Sequence, residues 1–236
     1  MCGRFALKAP AAELATLFDV SGLAEVPPRY NIAPATSVLA VRQASTGREW
    51  VALRWGLIPY WASDPAIGQR LANARAETAS AKPAFRQPFR SRRCLIPASG
   101  FYEWQRQTVG KAPYYIEPRG DQPLALAGLW DSWQDPEGQP VESCTILTTE
   151  ANELLRPIHE RMPVVVPPAD FARWLDLRCP LARVQTLLRP YPSERLACYP
   201  ISRFVNNTAN DDPRCLEAID ATKSADAGGW LFGNPA

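Results

Sequence analysis

The chain has 236 residues, 46% hydrophobic and 21% charged, a balance that supports a sizeable buried core and excludes an intrinsically disordered chain. Its single histidine, His159, excludes a multi-histidine metal site or a histidine-pair relay. Net charge is only +2, but residues 1–110 carry 14 Lys+Arg against 7 Asp+Glu while residues 111–236 carry 12 against 17, so the first half can face a polyanion.

Residues 10–19 (PAAELATLFD) predict a short helix, with Pro10 near its start and Leu14, Leu17 and Phe18 on one side. A Pro-rich irregular piece, VPPRYNIAPAT, follows. SVLAVRQ and EWVALRW predict a hairpin around Ser45–Gly47, and WGLIPYWASDP a loop rich in aromatics. NARAETASAKPAFRQPFRSRR reads as part helix and part loop. Four β-like runs come next: CLIPASGFYEW, PYYIEP, LALAGLWDSW and SCTILTTEA, with a turn at Pro136–Gly138 between the last two. Residues 152–156 predict a short helical stretch, HERMPVVV an extended run, PADFARWLD and LARVQTLLR helices, and ACYPIS a last strand. The pattern predicts an α+β fold: one domain on a curled, mainly antiparallel, barrel-like β-sheet with flanking helices. The domain is expected over residues 1–222, and residues 223–236 form a Gly/Ala-rich tail.

The six cysteines include no CxxC pair, so zinc-knuckle and thioredoxin-type motifs are absent and reduced thiols are expected. No export signal is visible at the N-terminus, and no run approaches the ~18 apolar residues of a spanning helix. The expectation is a cytoplasmic monomer without membrane contact, metal or cofactor. Arginine outnumbers lysine 22 to 4, and arginine suits both phosphate contact and stacking on bases. The cluster Arg86, Arg90, Arg92 and Arg93 reads as a solvated basic face.

Cys2 is the sharpest chemical feature. Removal of Met1 would leave a cysteine with two nucleophiles on adjacent carbons, an α-amine with pKa about 8 and a thiol about 8.5. Such an aminothiol condenses with an aldehyde to a Schiff base, and the thiol then closes a five-membered thiazolidine ring.

Seven segments occur in order: MCGRF at the start, PRYNIAP at 28–34, WGLIPYWA at 55–62, NARAET at 73–78, GFYEW at 100–104, HERMPVV at 159–165 and PISRFVNN at 200–207. Together they resemble the SRAP family, the SOS response-associated peptidases or abasic-site processing proteins. The resemblance implies covalent capture of abasic sites in single-stranded DNA as a Cys2 thiazolidine, protecting the lesion during the DNA damage response. It also implies reversal of the crosslink, lyase-type chemistry and a peptidase activity that exposes Cys2.

By the same resemblance, Cys2, Asn73, Glu103 and His159 are the catalytic residues. Asn73 would orient the aminothiol or the sugar, Glu103 would shuttle protons, and His159 would assist sugar-ring opening and crosslink reversal. The implied DNA contacts are Arg4, Pro34, Trp61, Arg75, Trp104, Thr149 and Arg161, with Thr148 beside Thr149. Arginines would grip phosphates while Trp61, Trp104 and Pro34 form an apolar wedge. Tyr60 stands before Trp61 where relatives can carry a second tryptophan. The alternative is an N-terminal-nucleophile amidohydrolase like the class II glutaminases, whose chains also begin MCG. A non-catalytic single-strand binding module is the third reading.

Overall fold

The computed structural model describes residues 2–219; the predicted tail at 223–236 and the predicted boundary at 222 lie outside the described residues. The chain opens with β1 (Phe5–Leu7), α1 (Ala11–Phe18) and β2 (Arg29–Ile32), then the hairpin of β3 (Ser37–Ala44) and β4 (Gly47–Trp55). After the aromatic loop come β5 (Asn73–Arg75), α2 (Ala76–Ala79) and α3 (Pro83–Ser91). Five long strands follow: β6 (Arg93–Ala98), β7 (Gly100–Arg106), β8 (Lys111–Pro118), β9 (Leu124–Gln134) and β10 (Pro140–Glu150). The chain continues through β11 (Arg161–Pro163), α4 (Phe171–Leu175), α5 (Leu181–Gln185) and β12 (Leu196–Pro200).

Five strands close into a barrel. β10 pairs with β9 on one edge and with β4 on the other, and β4–β3–β6–β9 completes the circuit. Only the β10–β4 step is parallel. Closure leaves the barrel no open edge. Val41, Leu53, Leu95, Leu126 and Ile146 lie fully buried in its core. A second, antiparallel sheet has the order β12–β8–β7–β1–β2. Helix α1 packs on α4 through stacked Phe18 and Phe171, ring centroids 5.1 Å apart. The architecture is the α+β, barrel-like one that the pattern predicts. Among the described residues, no helix is long and apolar enough to cross a membrane.

Three local expectations change. CLIPASGFYEW, read as one run, is two strands in different sheets, β6 in the barrel and β7 in the second sheet. At the crossing a side chain on Gly100 would overlap the Tyr115 ring, so the two sheets meet where only glycine fits. The Pro-rich piece contains β2, because buried Asn31 donates to the carbonyls of Val205 (3.1 Å), Asn207 (3.0 Å) and Asn210 (2.7 Å). Residues 152–156 form turns rather than helix: the Asn152 side chain accepts the Leu155 N–H at 3.0 Å, and Pro157 follows.

Candidate active site

The barrel uses only the first part of β10. Beyond Ile146 that strand pairs in parallel with Asn73–Arg75 and antiparallel with Arg161–Pro163. Short β5 and β11 thus ride on the projecting end of a long strand, which brings Asn73, Arg75, Thr148, Thr149 and Arg161 together. The second sheet supplies the other side. β1 pairs with β7 at Phe5–Phe101 and Ala6–Gly100, and Tyr102 N donates to Arg4 O at 3.0 Å. That register carries the N-terminal segment alongside Glu103. Buried Trp55 joins the halves: its ring lies 5.3 Å from that of Phe5, and its Nε1 donates to Ala72 O at 2.8 Å, just before Asn73.

Cys2 is fully buried at this junction. Asn73 Nδ2 donates to Cys2 O at 2.8 Å and so fixes the backbone that carries the nucleophile. Asn73 Oδ1 is buried and has no hydrogen-bond partner, an acceptor held open toward a ligand. Burial pushes the Cys2 thiol well above its ordinary value, and the nearby Glu103 carboxylate pushes it further. The thiol is therefore neutral at neutral pH, unlike the partly ionised free cysteine that the sequence suggests, and it needs a base to react. Glu103 is 2% exposed, and burial raises its carboxyl to about 7, where it can both give and take a proton.

His159 stands on the loop leading into β11. Gln105, two positions beyond Glu103, donates to Pro157 O at 3.0 Å and ties this loop to β7. The His159 Nδ1 lies 2.9 Å from the Arg161 N and 3.2 Å from the Arg161 O, so the Arg161 backbone fixes the orientation of the ring. Burial lowers the affinity of the ring for a second proton, so it is neutral at neutral pH. Arg161 is itself engaged: its guanidinium forks onto Glu77 at 2.8 and 2.9 Å and donates to Thr148 O at 2.5 Å.

The remaining candidates are spread over the rim. Arg4 Nη1 donates to Asn31 Oδ1 at 2.6 Å and Val205 O at 3.0 Å, and its guanidinium lies 5.7 Å from the Trp104 ring centroid. Half-buried Trp104 donates to Asn206 Oδ1 at 2.8 Å. Arg75 is exposed, Pro34 half-buried in the turn after β2, and Thr149 buried in β10. Tyr60 and Trp61 are 59% and 49% exposed on a loop pinned from below. Asp131 accepts the Tyr60 N–H at 3.1 Å, Ser143 the Ile58 N–H at 2.7 Å, and Trp133 donates to Ala62 O at 2.7 Å. The basic cluster divides: Arg86 and Arg90 are exposed, whereas Arg92 pairs with buried Asp131 and Arg93 is itself buried. The solvated-face expectation fails for those two because Arg92 is drawn to Asp131 of β9 and Arg93 to carbonyls at the ends of α3 and α4.

The family model for the SOS response associated peptidases (SRAP) matches residues 1–208, the whole of both sheets. The chain belongs to the SRAP family. It is 40% identical to the abasic site processing protein YoqW of Bacillus subtilis over 223 residues, 92% of this chain and all of the relative. It is 34% identical to the abasic site processing protein HMCES of Gallus gallus, over 98% of this chain and 84% of that one. A crystal structure of a protein from Bacteroides thetaiotaomicron superposes with a TM-score of 0.84 at 27% identity, covering 92% of this chain and all of that one. One from Bordetella bronchiseptica superposes at 0.74 and 29% identity, covering 85% of this chain and all of that one. Within this SRAP chain the sequence reading missed Glu77, although it lies inside NARAET. The i+2 spacing from Arg75 placed no special demand on it, and its partner Arg161 is 84 residues away. All six cysteines are free thiols.

Proposed function

We propose that this protein processes abasic sites in single-stranded DNA by linking the lesion covalently to Cys2 once Met1 has been removed. The observation that carries the reading is the burial of Cys2 beside Asn73 and Glu103, with a carboxyl raised to about 7. The C1′ hydroxyl of the closed sugar loses its proton and O4′ gains one as the ring opens, with the His159 imidazole stabilising charge that develops on O4′. The Cys2 α-amine adds to the C1′ aldehyde, and the Glu103 carboxyl protonates the carbinolamine hydroxyl, which leaves as water. The iminium carbon then accepts the Cys2 sulfur. The thiol proton returns to the Glu103 carboxylate, and the C=N electron pair returns to nitrogen. Aldehyde and aminothiol thus give thiazolidine and one water, and Glu103 ends in the state in which it began.

Asn73 holds the nucleophile's backbone, and its open Oδ1 accepts a hydrogen bond from the amine or sugar hydroxyl. Trp61 and Trp104 present apolar faces to unpaired bases, and Arg4, Arg75 and Arg161 offer charge to phosphates. The peptide bond before Cys2 is the substrate of the peptidase step, and reversal of ring closure through Glu103 supplies the lyase-type release. The protein acts as a monomer on a single strand. Purified protein mixed with single-stranded DNA carrying one abasic site gives a shifted band on a denaturing gel, and Cys2→Ala gives none. An equal band from the Cys2→Ala variant contradicts the reading.

A further inference from the structure

Beside the candidate catalytic groups lies an open groove of about 570 Å³ lined by Arg4, Trp104, Lys111, Arg203 and Asn206. Its volume falls in the range of about 300–1,000 Å³ that accommodates small ligands. The described residues that line it include three cations and no carboxylate. Arg4 is committed to Asn31 and the Val205 carbonyl. Lys111 and Arg203 are exposed, and among the described residues neither takes part in an ion pair. They come from segments far apart in the chain, the start of β8 and the short helical turn after β12, and converge only in the fold. Within this lining Trp104 donates its indole N–H to Asn206 at 2.8 Å.

Residues adjacent in the chain to the reacting groups line the groove. Its lining includes Gly3, the neighbour of Cys2, and Trp104, the neighbour of Glu103. The Lys111 charge reaches both sides of the site, favouring the ionised Glu103 and disfavouring protonated His159. Two unpaired cations on long stems, over an open and carboxylate-free trough, suit a diffuse anion such as a phosphodiester better than a compact apolar ligand. A strand whose abasic sugar sits at Cys2 must run its backbone across the edge of the site, and this part of the edge carries positive charge outside any ion pair among the described residues.

We propose that this groove is a phosphodiester subsite in which Lys111 and Arg203 hold the DNA backbone next to the abasic nucleotide. The proposal rests on the abasic-DNA reading above. Its test uses a single-stranded oligonucleotide with one tetrahydrofuran residue, an abasic analogue that has no aldehyde and cannot crosslink. Binding is measured by fluorescence anisotropy over a series of KCl concentrations for wild type, Lys111→Gln, Arg203→Gln, the double variant and Arg183→Gln. Arg183 is exposed on α5 and lines no part of the groove. Each lost phosphate contact lowers the slope of log K against log salt by about 0.7 for a single strand. The expected losses are therefore about 0.7 for each groove variant and about 1.4 for the double variant, with Arg183→Gln at the wild-type slope. Wild-type slopes in both groove variants overturn the proposal, as does an equal loss in Arg183→Gln. Wild type that fails to crosslink authentic abasic DNA but shows the slope losses contradicts the covalent reading and leaves the groove assignment standing.

Discussion

Two regions of this protein bury polar side chains, and they treat them in opposite ways. Under the barrel wall, Arg93 is 1% exposed and saturates its guanidinium with carbonyls: Trp174 O at 2.6 Å, Asp176 O at 2.7 Å, Phe89 O at 2.8 Å and Arg90 O at 3.1 Å. Those carbonyls lie at the C-terminal ends of α3 and α4, where the helix dipoles favour a cation. At the junction of the two sheets, burial leaves capacity unspent. Asn73 Oδ1 has no partner, the Cys2 thiol is held neutral, and the Glu103 carboxyl titrates near 7. Saturated burial holds a structure together, whereas open burial holds reactivity in readiness.

Substitutions at the two regions should therefore separate chemistry from stability. Cys2→Ala should abolish crosslinking completely on the denaturing gel while thermal unfolding stays close to wild type. Arg93→Met should do the reverse. It strands four carbonyls, so chemical denaturation should register a loss of about 3–5 kcal/mol, while crosslinking per folded molecule is retained. An intact Arg93→Met fold of wild-type stability would erase the contrast.

Glu103 sharpens the comparison through pH. Its folded pKa is raised, so the stability contributed by the neutral carboxyl is present below the unfolded value and is lost as pH rises through about 7. Relative to Glu103→Gln, wild type should lose up to about 3 kcal/mol over that window, read as a widening gap in unfolding midpoints between pH 4 and 8. A constant gap would mean that the Glu103 carboxyl titrates alike in the folded and unfolded chain, with no upward shift from burial. The smallest effect belongs to the rim. Trp61→Ala should weaken single-strand binding by about 1–3 kcal/mol with unfolding unchanged, because half of the side chain is already in water.

Much of this was legible in the sequence where one signal sufficed. Amphipathic spacing in residues 11–18 and the alternation of β3 and β4 around Gly47 reported their elements directly. The ordered motifs located Cys2, Asn73, Glu103 and His159 without revealing why they meet. Their meeting depends on long-range pairing. β5 has three residues, too few for any periodicity, and exists as a strand because β10 offers it a parallel partner. The exchange of sheets at Ser99–Gly100 depends on the Tyr115 ring across the pair, which no local pattern encodes. Local environments were equally hidden: the orientation of the His159 ring is set by the Arg161 backbone, and the neutral state of the Cys2 thiol by burial. Lys111 and Arg203 carry no shared sequence signal because their convergence is purely tertiary.

The central claim is that Cys2 forms a covalent bond with the abasic aldehyde and releases water. Intact-mass spectrometry of the protein, before and after incubation with an abasic single-stranded oligonucleotide, measures this directly. The account predicts a first spectrum lacking Met1 and a second heavier by the oligonucleotide minus one water, with the modified residue mapped to Cys2. An unchanged second spectrum, or an adduct mapped to a lysine, would contradict it.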